Sequence, residues 1–134
     1  MFKRKAKARQ LNHLSELEEL VAEEKPLLLD FFQFGCPACQ VMDGIMNELA
    51  REYGETANIV KVNVGRVPGA AQRFNIRSTP TMLLLGRPPA RKRKKDRSAA
   101  DPQQVTVRWR TVGLVQKDQL ARVLEGNGAV AAGS

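Results

Sequence analysis

Hydrophobic and polar positions change period several times along the chain, and each change predicts an element. Leu14, Leu17, Leu20 and Val21 recur at helical spacing. Ser15 with Glu18 three residues on predicts a capping box, and so a helix over 15–24 that Pro26 closes. From Leu27 to Phe34 the chain is almost continuously apolar, the signature of a central strand covered on both faces. The period turns helical again over 37–53, with Val41, Met42, Ile45, Met46, Leu49 and Ala50 expected on the buried side and Gly54 ending the pattern.

Residues 59–64 alternate as a strand, 68–74 suit a short helix, and 81–85 form a strand entered through Pro80. Residues 104–110 alternate once more, Gly113 breaks the run, and 117–125 predict a last helix with Leu120, Val123 and Leu124 inward. A further short strand is conceivable near 10–12. Helices alternating with strands in this way predict an α/β domain.

Composition narrows the class. With 134 residues, 43% of them hydrophobic, the chain suits one domain that buries a core without disulfide staples. No apolar run approaches the roughly 20 residues of a membrane span, and residues 1–9 lack the apolar stretch of a secretory signal. The expected compartment is therefore the cytoplasm, where thiols stay reduced.

The formal charge of +8 is concentrated in two places. Residues 1–9 carry five basic residues and no acid, and 87–97 carry seven and one acid, Asp96, so the remainder has a net charge of −3. The expected organisation is a flexible basic arm (1–13), a folded domain (14–125) interrupted by a basic insertion (87–103), and a flexible tail (126–134) rich in Gly and Ala. Such a cluster can dock on nucleic acid, an anionic surface or an acidic partner, or it can be a solvated insertion without a specific role. No aromatic residue interrupts it to stack on bases.

The chemistry lies at the end of the first long strand. Cys36-Pro37-Ala38-Cys39 follows an apolar strand and opens a helix, where unpaired amides favour a thiolate on the first sulfur. Pro37 suits the first helical turn. Three readings stay open: a redox dithiol, half of a metal or cluster site shared between two chains, or two inert core cysteines. Two cysteines and one histidine, His13, do not complete a four-ligand zinc site within one chain, so no metal is expected. Asp30, a lone acid among three leucines and two phenylalanines, is a candidate proton-transfer group, since desolvation raises a carboxyl's pKa. The alternative is an acid at a strand end, open to solvent.

Together these features resemble the thioredoxin family over about residues 14–125. The resemblance rests on Asp30-Phe31-Phe32 before the dithiol, Lys61 and Asn63 on the next strand, Phe74 to Thr81 around Ser78-Thr79-Pro80-Thr81, and Val112-Gly113 before the last helix. It implies a thioredoxin fold: a central mixed sheet of about four strands with helices on both faces, and a fifth if the N-terminal strand forms. It also implies a protein-disulfide reductase with no bound cofactor beyond its own redox-active disulfide. Cys36 would be the nucleophile and Cys39 the resolving thiol, Asp30 would take the proton of Cys39, and Lys61 would tune Asp30. A cis Pro80, with Thr79, Gly35, Pro37 and Gly113, would meet the substrate. The implied partners are disulfide-containing proteins and a separate reductase as electron donor. An adaptor that docks through the basic insertion, with the dithiol as a switch, is the alternative. The chain departs from the family at Gly35, where an aromatic residue is usual, at the Pro-Ala spacer, at Thr79 where many relatives carry isoleucine, and at Gly44 in place of a kinking proline.

Overall fold

The computed structural model describes residues 7–86 and 106–132. The basic cluster of 87–97, the first six residues and the last two lie outside these, as does the start of the strand expected from residue 104. The described elements are β1 (Arg9–Gln10), α1 (Glu16–Ala22), β2 (Leu27–Phe32), α2 (Pro37–Tyr53), β3 (Asn58–Asn63), α3 (Ala70–Phe74), β4 (Thr81–Gly86), β5 (Thr106–Val112) and α4 (Lys117–Gly126). They build one mixed sheet in the order β1-β3-β2-β4-β5. The pairs β1/β3 and β2/β3 are parallel, whereas β4 runs antiparallel to both β2 and β5.

Strand alternation distributes the core between two faces. On β2, Leu27, Leu29 and Phe31 join Leu17, Leu20, Val60, Val62 and Leu83 in one cluster, the face covered by α1. Leu28 points the other way, into a cluster with Met42, Met46, Leu49, Met82, Leu84, Leu120 and Leu124, the face covered by α2 and α4. By the same period of two, Asp30 belongs to the α2 face. So does Lys61, its register partner on β3, because Val60 and Val62 point to the α1 face. Met82 flanks Asp30 from β4.

Several expectations are corrected. Ser15 precedes α1 but forms no capping box: it is already in the helical region (φ −61°, ψ −22°), so its hydroxyl does not cap the helix. Instead the Glu16 carboxylate accepts a hydrogen bond from the Asn12 amide. The helix also stops at Ala22, and Glu24 turns the chain at φ 63° ahead of Pro26. β2 ends at Phe32, two residues early, because the chain turns out to an exposed Phe34 and a left-handed Gly35. On α2, Val41 is 54% exposed: the buried stripe runs Cys39, Met42, Met46, Leu49, Ala50 and Tyr53, about 100° round the helix from it.

Neither end of the described chain is loose. Ala8 is buried and its amide donates to Asn47 Oδ1 (3.0 Å), while Leu11 is 1% exposed beside β3. At the other end Ala129 is buried, the Ala132 amide donates to the Glu52 carbonyl, and Thr56 Oγ1 exchanges hydrogen bonds with the Val130 amide and carbonyl. The expected arm and tail thus pack on the domain at 7–13 and 127–132. Nothing in these two short segments points to the distant groups that anchor them.

Candidate active site

Gly35 and Pro37 shape the approach to the dithiol. Gly35 has φ +80°, a conformation that a β-carbon disfavours, and it turns the chain from β2 into α2. Cys36 is then the N-cap of α2 in extended conformation, with Pro37 in the first turn where its missing N–H is harmless. The Cys39 amide donates to Cys36 Sγ at 3.2 Å, and the two sulfurs are joined as a disulfide. Cys36 is partly exposed, whereas Cys39 is 4% exposed. The outer sulfur therefore sits at the positive end of a 17-residue helix, and the inner one is covered.

Opposite the dithiol, the Thr79–Pro80 peptide bond is cis. It places the Thr79 carbonyl oxygen 3.7 Å from Cys36 Sγ. The Gly113 amide donates to the Pro80 carbonyl at 2.8 Å, so the turn after β5 is tied to the same surface. Gly113 has φ +89° and open space where a side chain would stand. Exposed Val112 and Leu114 flank it, and exposed Phe34 and Val41 lie on the dithiol segment itself. Cys36, Cys39, Pro37, Thr79, Pro80 and Gly113 thus come together, with Gly35 at their edge.

Asp30, on the α2 face of β2, is 1% exposed, so the solvent-facing alternative is excluded. Neither of its carboxyl oxygens has a hydrogen-bond partner among the described residues. Burial is the main force pushing its pKa up to about 7 from the usual 3.8; Asp43 adds to the rise and Lys61 opposes it. Lys61, its register partner on β3, forms no hydrogen bond with Asp30. Its ammonium is ion-paired to Asp43 on the second turn of α2.

Asp43 is the functional candidate that the sequence reading missed. An acid between Met42 and Gly44 on an amphipathic helix looks like an ordinary solvent-facing residue, and its partner on β3 is 18 positions away. Another missed contact is Arg66, whose guanidinium lies over the Phe34 ring at 5.7 Å. Among the described residues no group of three or more His, Cys, Asp or Glu side chains is arranged to hold a metal ion.

Comparison with known proteins places this geometry. The Thioredoxin family profile matches residues 9–107. Thioredoxin 1 of Synechococcus elongatus is 29% identical over 108 residues, 81% of this chain and 85% of that protein. The M-type chloroplast thioredoxin of Spinacia oleracea is 35% identical over 75 residues, 56% of this chain but only 41% of the relative's length. Among solved structures, a mutant thioredoxin from Halobacterium salinarum superposes with a TM-score of 0.71 at 19% identity, covering 95% of this chain and 96% of the other. Chloroplastic thioredoxin z gives 0.69 at 18% identity, covering 92% and 96%. These structural matches establish the fold. None of these relatives lends support to the adaptor or nucleic-acid reading of the basic cluster.

Proposed function

The chain belongs to the thioredoxin family, and on that premise we propose that it reduces disulfides of protein substrates through Cys36 and Cys39. The observation that carries the reading is Cys36 Sγ at the N-cap of α2, bonded to Cys39 and facing the Thr79 carbonyl. In the reduced state the helix N-terminus and the Cys39 amide stabilise a Cys36 thiolate. That thiolate attacks a substrate disulfide, expelling one substrate thiolate and forming a mixed disulfide. Asp30, in its ionised form, takes the proton of Cys39. The Cys39 thiolate attacks Cys36 Sγ, the second substrate thiolate leaves, and the enzyme disulfide forms. Two electrons pass from the pair to the substrate, and the released thiolates take up protons.

Thr79, Pro80 and Gly113 present backbone to an extended substrate segment, in the manner of strand addition. The exposed side chains of Val112 and Leu114 provide apolar contact beside it. A separate reductase restores the dithiol in a compartment that keeps thiols reduced, such as the cytoplasm. No helix among the described residues is long and apolar enough to cross a membrane.

Dithiothreitol-driven reduction of insulin tests the reading. Cys36→Ser is expected to be inactive, and Cys39→Ser to accumulate a mixed disulfide through Cys36. Turnover by Cys36→Ser at the parent rate would overturn the assignment.

A further inference from the structure

Two charged groups bear on the Asp30 carboxyl, and they arrive from two elements. Lys61 lies opposite it on β3, while Asp43 belongs to α2. The β4 neighbour, Met82, carries no charge. On α4, Lys117 is engaged by Glu48 and Glu52 of α2, farther along that helix. Lys61 is therefore the cation placed to neutralise Asp30, and Asp43 holds it. The Lys61 side chain is 15% exposed and the Asp43 side chain 50%, so the ion pair bridges a buried strand position and the surface. Both residues and Cys39 line a groove of about 460 Å³, with Arg66 and Phe34 among its other walls.

We propose that Asp43 is a positioning residue of the dithiol reaction: it holds the Lys61 ammonium against α2, away from the Asp30 carboxyl. Asp30 is thereby left buried without a counter-ion, and its ionised and protonated forms are both accessible near neutral pH, as the Cys39 proton transfer requires. An Asp30 paired directly with Lys61 would stay ionised and would be a weaker base. The neighbouring negative charge of Asp43 acts in the same direction as burial. The transfer itself moves one proton from Cys39 Sγ to Asp30, and the open groove beside Cys39 gives solvent a route by which a proton can leave. The proposal rests on Asp30 acting as the base for Cys39.

Two measurements separate it from that underlying reading. The first is the titration of the Asp30 carboxyl by carbon NMR in the disulfide form of the parent, Asp43→Asn, Asp43→Glu and Lys61→Met proteins. The second is the pH profile for release of a peptide thiol from a mixed disulfide prepared on Cys36. Asp43→Asn is expected to move the Asp30 midpoint and the release profile together to lower pH, by about one unit. Asp43→Glu restores both. In a Lys61→Met background the Asp43→Asn displacement shrinks, because there is no longer a cation to release. An unmoved Asp30 midpoint in Asp43→Asn overturns the role of Asp43 whatever Asp30 does. A release profile that is the same in Asp30→Asn as in the parent overturns the base reading, and the proposal with it, even if the midpoint moves.

Discussion

Replacing Asp30 by asparagine should stabilise the protein, by an amount that grows as the pH rises from about 4 to 7. The buried carboxyl titrates near 7 in the folded chain against 3.8 for the ordinary group. Below pH 3.8 it is protonated in both states and contributes no pH dependence. Between 3.8 and 7 the unfolded chain has lost the proton while the folded chain retains it, so stability falls by ~1.4 kcal/mol per pH unit. Above 7 both forms are ionised and the loss levels off at about 4 kcal/mol. Asparagine keeps the shape and removes the charge. Urea unfolding of the oxidised parent and Asp30→Asn proteins, repeated from pH 4 to 9, isolates this residue because all other titrating groups are shared. The expected difference is small at pH 4 and rises to between about 2 and 4 kcal/mol in favour of the variant at pH 8. A difference that does not change with pH would refute the claim that Asp30 is buried without compensation. The same variant should resolve mixed disulfides more slowly, so that stability and activity move in opposite directions.

Other perturbations probe separate parts of the structure. Met46→Ala, at a fully buried position between α2 and the sheet, should destabilise by about 2–5 kcal/mol in denaturant unfolding. Gly113→Val should raise the KM for protein disulfides, since a branched side chain at φ +89° is strained and fills the approach beside Pro80; an unchanged KM would exclude backbone contact there. Removing residues 127–134 should lower stability by about 1–3 kcal/mol through loss of the Ala132–Glu52 and Thr56–Val130 hydrogen bonds and the buried Ala129, and no change would mean the segment is a loose tail after all. Tyr53→Phe should cost about 1–2 kcal/mol by deleting the hydrogen bond to Glu125 that links α2 to α4, measurable as a lower Tm.

The elements were legible in the sequence where local pattern and packing agree. Leu27-Leu28-Leu29 before Asp30, the stripe from Met42 to Ala50, and the alternation around Val60 and Val62 each point to one element, and the folded chain has it. The dithiol was equally plain, since a strand, a Cys-x-x-Cys and a helix start are all local. What could not be read were pairings across the sheet and at the domain's ends. Nothing near Lys61 announces that its partner is Asp43 rather than Asp30, because the choice depends on where α2 crosses the sheet. Val41 misled because a β-branched apolar residue next to Met42 counts towards a hydrophobic stripe, although one helical step turns it to solvent. The ends are hard to read because Gly, Ala and Lys carry little hydrophobic signal, yet buried Ala8 and Leu11 at one end and Ala129 at the other, with a few hydrogen bonds, dock each segment.

The assignment as a reductase is tested most directly by the redox equilibrium of the Cys36–Cys39 pair in a glutathione buffer, read by alkylation of free thiols. A donor of electrons to protein disulfides is expected to have a potential of about −270 mV, that of a reducing thioredoxin pair. A value above about −200 mV would contradict it, because the pair would then take electrons from substrate thiols and work as an oxidant or isomerase.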